Sequence, residues 1–197
     1  MWPLDAATVL CRWEQGLALP GGPLVVVYWD ASPMAVGISI RTRPWEIWKT
    51  CCMRYERAYT IVTFDSPMEA QVHRESAGAP MALAFLRSQM DLRGWQVLFV
   101  NVCLPVVIAL RKGSHSARLQ ADAEAVTLGL LEAGAKPSST SRERKWWRQG
   151  STVDGASREG AKSVIGPSCT PLGKAKIQAF LDLHGWKASR RSPSPRP

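Results

Sequence analysis

Apolar and polar residues fall into blocks along this chain. Leu24-Val25-Val26-Val27-Tyr28-Trp29-Asp30 is a short β-branched and aromatic run, the pattern of a buried strand. It follows the breaker cluster Leu19-Pro20-Gly21-Gly22-Pro23, so residues 1–22 read as a lead-in segment. A second apolar run over residues 35–40 comes almost at once and predicts a hairpin partner. Residues 41–57 read as a basic connection containing Trp. Residues 60–64 predict a third short strand, with Asp65-Ser66-Pro67 as turn or helix cap. Helical spacing follows, with Glu75, Ala79, Ala82, Leu83, Leu86 and Met90 on one stripe. Gly94 ends that helix. Residues 95–100 predict a fourth strand, and residues 104–110 and 119–131 two further helices.

The order β-β-β-α-β-α is an α/β arrangement with parallel and antiparallel neighbours. Residues 23–134 form the expected core. Residues 135–153 are polar, basic and without period, and no residue over 138–152 supports a buried strand. Residues 154–186 form a closing segment, with Ile177, Phe180 and Leu181 at helical spacing. Residues 187–197, almost entirely Ser, Pro and basic side chains, read as a disordered basic tail.

Charge sharpens this outline. The 197 residues carry a net charge of +9, which favours an anionic partner, most simply nucleic acid. Arg41, Arg43, Trp45, Trp48 and Lys49 interleave basic and aromatic side chains, a composition suited to phosphate contact and base stacking. Arg111 and Lys112 add a second basic site. The five cysteines include no CxxC pair, which argues against zinc and for a reducing, cytoplasmic or nuclear setting. The longest apolar stretch, residues 97–110, contains Asn101 and Pro105 and is too short to span a bilayer. No secretory signal is visible at the start, so no membrane association is expected. His73, His115 and His184 lack metal-ligand spacing, and no phosphate-loop or nucleophile-elbow motif occurs.

Several segments, in order, resemble a known family. Trp29-Asp30-Ala31-Ser32 followed by a hairpin is similar to the opening of ribonuclease H-like domains in retroelement polyproteins. His73-Arg74-Glu75-Ser76-Ala77 resembles that family's glutamate-bearing helix. Leu98-Phe99-Val100-Asn101-Val102, with the helix ending at Lys112-Gly113-Ser114, resembles its fourth strand and the helix after it. Val153-Asp154-Gly155-Ala156-Ser157-Arg158 resembles the segment carrying its last aspartate. The similarity covers roughly residues 24–166 and is nearest to the domain that follows reverse transcriptase in tyrosine-recombinase-type elements. It implies a ribonuclease H-like α/β fold, a mixed sheet flanked by helices. It also implies cleavage of the RNA strand of an RNA–DNA hybrid and possible former fusion to a reverse transcriptase. Asp30, Glu75 and Asp154 would be the catalytic and metal-binding carboxylates for Mg²⁺ or Mn²⁺. Two-metal hydrolysis needs several hard oxygen ligands converging from separate elements. Recognition of the hybrid would be through backbone shape and the 2′-hydroxyl.

The chain departs from the pattern in three places. Pro80 lies five residues after Glu75, so the helix is expected either to begin near Ala79 or to kink. Counting back from Gly113, the family's central aspartate falls on Val102, which cannot bind a metal ion. A shift of one residue would put Asn101 there instead. Either way a carboxylate is missing, and activity is expected to be impaired. Residues 138–152 replace the family's usual strand and His-containing loop. Trp146 and Trp147 follow Lys145, and Trp has one codon. Read one frame over, these codons give two valines. With permissible codons, the segment becomes Leu-His-Val-Pro-Gly-Glu-Lys-Val-Val-Glu-Ala-Gly-Val-Asp, which suggests a frame-shifted patch. A non-catalytic nucleic-acid-binding module and a non-functional gene remnant are the alternatives.

Overall fold

The structure is a computed structural model that describes residues 5–19, 21–33, 35–44, 48–55, 66–141 and 188–189. Its elements are α1 (Ala6–Glu14), β1 (Leu24–Ala31), β2 (Ala35–Arg41), β3 (Lys49–Tyr55), α2 (Pro67–Gln89), β4 (Gln96–Asn101), α3 (Leu104–Lys112), α4 (Ala117–Glu132), β5 (Lys136–Ser141) and β6 (Ala188–Ser189). The strands form one sheet in the order β5-β4-β1-β2-β3-β6. β1, β2 and β3 are antiparallel neighbours, while β4 and β5 run parallel to β1. This is the mixed sheet flanked by helices that the resemblance implies. Among the described residues no helix is long and apolar enough to cross a membrane.

β1 is buried along its whole length, because both faces of the sheet are covered at its centre. Val25, Val27, Trp29 and Ala31 belong to the core beneath α2, with Phe85, Leu86, Phe99 and Val126. The alternate residues Leu24, Val26 and Tyr28 pack with Leu98 and Val100 against Val9, Leu10 and Trp13 of α1. The period-two alternation of strand side chains thus divides one apolar run between two cores.

Several expectations are corrected. Residues 1–22 are more than a lead-in, since α1 covers the second face. Asp5 caps that helix by accepting from the backbone N–H groups of Ala7 and Thr8, each at 3.0 Å. The third strand is Lys49–Tyr55, within the stretch read as a connection, and residues 60–64 lie outside the described residues. α2 starts at Pro67, its Ser66 cap accepting from Glu69 N at 3.1 Å, and continues through Pro80. Residues 75–86 are all buried rather than presenting one stripe. A helix enclosed on every side keeps its form through packing, which offsets the hydrogen bond Pro80 removes. Lys136–Ser141 pairs along β4 as β5, although residues 138–152 were expected to hold no strand. The ladder to β4 supplies what apolar content does not. The proposed closing helix and all of the basic tail except Ala188–Ser189 lie outside the described residues.

Candidate functional site

The parallel ladder between β1 and β4 ends at Tyr28 and Val100. Beyond it the two strands part. Ser32 N bonds to Ala35 O on the β2 side, so the alternate groups Trp29 O, Ala31 N and Ala31 O face the edge where β4 has ended. Buried backbone groups need partners, and three side chains provide them. Asn101, the last residue of β4, donates from Nδ2 to Trp29 O at 2.8 Å. Gln71 of α2 donates from Nε2 to Ala31 O at 2.7 Å. Glu75 of α2 accepts from Ala31 N through Oε1 at 3.2 Å.

The same side chains bind one another. Glu75 Oε1 also accepts from Gln71 Nε2 at 2.9 Å, and Oε2 accepts from Asn101 Nδ2 at 3.0 Å. Cys103 N donates to Asn101 Oδ1 at 2.7 Å, which fixes the direction of that amide. Glu75 is held from its backbone as well, since Trp29 Nε1 donates to Glu75 O at 2.8 Å. The indole can approach because residue 78 is glycine: a Cβ there would lie 2.4 Å from Trp29 Cδ1. Trp29 is fixed on its other side by Phe99, an edge contact with centroids 5.9 Å apart.

Glu75 is 2% exposed. Burial, and then the nearby charge of Asp30, push its carboxyl well above the usual carboxylate range, against the pull of the Asn101, Ala31 and Gln71 donors. Asp30 is buried at the end of β1. The pleat places its Cβ on the Tyr28 face, opposite the face Glu75 approaches, yet close enough for the two acids to influence each other. Both acids are singled out in the sequence, Asp30 at a strand end; for Glu75 the expected late start or kink of its helix at Pro80 is corrected, since it lies within the continuous α2. Sequence reasoning missed Gln71, whose position one turn before Glu75 was the available signal.

Of the two positions at which the resemblance implies an acid, it is Asn101, and not Val102, that lies beside Glu75. Asn101 turns into the network, whereas Val102 is half-buried against the core on the α1 side. Asp154 lies outside the described residues. Ser141, the last residue of β5, pairs with Asn101 at this same end of the sheet.

The expected nucleic-acid residues are not gathered here. Arg41 pairs with Val26 at the opposite end of β1. Its burial removes it from the exposed basic set, and its Nη1 donates to Pro44 O at 2.9 Å. Arg43 is exposed near it. Trp48 packs against the core, with Lys49 Nζ 5.7 Å from its ring centroid. Trp45 lies outside the described residues. Arg111 and Lys112 are exposed at the far end of α3, which begins beside Asn101 and runs away from it.

Among the described residues, the donor set does not by itself make a two-cation centre. Both oxygens of Glu75 already accept N–H groups, Asn101 presents N–H rather than oxygen, and Asp30 stands on the other face. Among the described residues no group of three or more His, Cys, Asp or Glu side chains is placed to hold a metal ion.

No protein-family model and no curated protein sequence matches the chain. Among solved structures, ribonuclease H1 from the halophilic archaeon Halobacterium salinarum is similar at 17% identity and a TM-score of 0.49, over 68% of this chain and 96% of that one. LC11-RNase H1 in complex with an RNA/DNA hybrid is similar at 9% identity and 0.44, over 66% and 92%. T. thermophilus RuvC in complex with a Holliday junction substrate is similar at 15% identity and a TM-score of 0.31, over 84% of this chain and 99% of that one.

Proposed function

We propose that the chain is a ribonuclease H-like domain of retroelement origin that engages RNA–DNA hybrids and is impaired in two-metal hydrolysis. The observation that carries this reading is the meeting of Glu75 and Asn101, with Asp30 at the adjacent strand end, where β1 and β4 part. That is the place for converging carboxylates in the resemblance, and one of them is replaced by an amide. Asp30, Glu75 and Asp154 are the remaining acids of the set. Mg²⁺ or Mn²⁺ is the cofactor the ancestral chemistry calls for. The net charge of +9, with Arg43, Lys49, Arg111 and Lys112 as its contact candidates, supports a polyanionic partner. An earlier fusion to a reverse transcriptase and a reducing intracellular setting belong to the same reading.

The test is hybrid binding and cleavage by one preparation. Binding that weakens as salt rises, with little or no Mg²⁺-dependent cutting, is expected, and Asp30→Asn should leave binding unchanged. Efficient Mg²⁺-dependent cutting abolished by Asp30→Asn overturns the impairment. Absence of salt-sensitive binding by a folded chain overturns the nucleic-acid reading. A molten, aggregating product would instead identify a gene remnant. The coding DNA over residues 138–152 tests the frame shift, which requires a His-Val-Pro-Gly-like loop in an alternative frame.

A further inference from the structure

Two amides in the candidate site are arranged alike. Asn101 Nδ2 joins Trp29 O to Glu75 Oε2, and Gln71 Nε2 joins Ala31 O to Glu75 Oε1. Each uses both of its N–H groups to link one β1 carbonyl and one carboxylate oxygen. Four electron-rich oxygens, two from β1 and two from Glu75, are thereby brought together without repulsion. A cation is the other common way of holding such oxygens in one place. An amide does it with directed N–H groups and no net charge.

We propose that the Asn101 and Gln71 amides replace a divalent cation in this chain, so that the centre, as the described residues form it, is held together without metal. This rests on the reading that the parting of β1 and β4 is the relic of a metal centre, and it adds what now occupies it. The replacement is not neutral toward reversal. An aspartate at position 101 would turn an acceptor toward Trp29 O and Glu75 Oε2, both acceptors themselves. The backbone N–H of Cys103 would still favour its other oxygen. Such a chain would need either a bound proton or a cation between those oxygens. Gln71→Glu would create the same demand at Ala31 O.

The experiment uses the full chain without nucleic acid, so its failure is distinct from a failure to bind hybrids. Melting temperature is measured in EDTA and in millimolar Mg²⁺, and Mn²⁺ binding is followed by the paramagnetic resonance of the free ion. For the unaltered chain the melting temperature should not move with Mg²⁺ and the Mn²⁺ signal should not fall. Asn101→Asp should melt lower in EDTA and regain roughly 5 °C on saturation with Mg²⁺, with loss of free Mn²⁺ signal. Gln71→Glu, on a less buried side chain, should respond in the same direction and serves if Asn101→Asp does not fold. Saturable Mn²⁺ uptake by the unaltered chain that Asp30→Asn or Glu75→Gln removes overturns the proposal. So does a folded Asn101→Asp that is as stable as the unaltered chain in EDTA and indifferent to both ions.

Discussion

Glu75 and Asp122 are both buried acids, joined through neighbouring residues of α2, and they live in different surroundings. Glu75 faces β1, where three N–H donors and the charge of Asp30 act on it. Ser76, next along the helix, faces α4 and donates its hydroxyl to Asp122 Oδ2. Asp122 is 2% exposed. Burial raises its carboxyl to about 7, against the Ser76 hydrogen bond and the charge of Arg118. A raised acid is therefore no signature of a functional site in this fold. The distinguishing feature is what surrounds the acid. Glu75 sits among rigid N–H groups that complete a sheet edge, whereas Asp122 meets a hydroxyl that can rotate.

The largest expected effect concerns the region the two acids share. Gly78→Val should cost about 3 kcal/mol or more, or prevent folding, because the new side chain must occupy the space of the Trp29 indole. Denaturant unfolding measures it. A loss below about 1 kcal/mol would mean that α2 and β1 are not held at this separation.

Glu75→Gln and Asp122→Asn then separate the acids. The amide nitrogen of Gln at 75 would face a donor whichever way it turns, so the loss should be about 1–3 kcal/mol. At 122 the Ser76 hydroxyl can still donate to the remaining oxygen, and the cost of burying a charge disappears. The sign with pH follows from the raised value. Stability tied to the Asp122 proton is complete below about pH 4, declines as pH rises, and is gone above about pH 7. Unfolding measured across that window should therefore fall with pH in the unaltered chain and more gently in Asp122→Asn, which should be the more stable of the two above about pH 7. Equal responses of the two variants would dissolve the contrast.

The smallest effect is expected where α2 meets α4 at the surface. Arg87 Nη1 lies 3.0 Å from Glu132 Oε2, with both side chains partly exposed. Arg87→Ala should cost less than about 1 kcal/mol in thermal unfolding. A larger loss would move part of the helix contact's strength away from the Ser76–Asp122 pair.

The hairpin, the fourth strand and the two helices after it could be read from apolar runs bounded by Gly and Pro, because those elements are local in sequence. The helix in the first segment was legible too. Asp5 stands in capping position, and Ala6, Val9, Leu10 and Trp13 fall on one face. The breaker cluster at residues 19–23 separates this helix from β1 without excluding it. β3 was missed because Thr50-Cys51-Cys52-Met53 is a short run between basic residues, and its strand character comes from pairing with β2. β5 likewise follows from β4. At the site, the acids were visible as residue types, but a count from Gly113 could not decide whether position 101 or 102 faced Glu75. The pleat decides it, and a shift of one residue exchanges the two faces.

The contact between Asn101 and Trp29 joins positions 72 residues apart, and that between Trp29 and Glu75 spans 46. Contacts so distant in sequence carry a loop-closure cost that must be met before they contribute, and they form slowly. A nascent chain that has not yet reached β4 cannot close the strand edge at Trp29. The network at the parting of β1 and β4 therefore requires both halves of the sheet to be present before it can close.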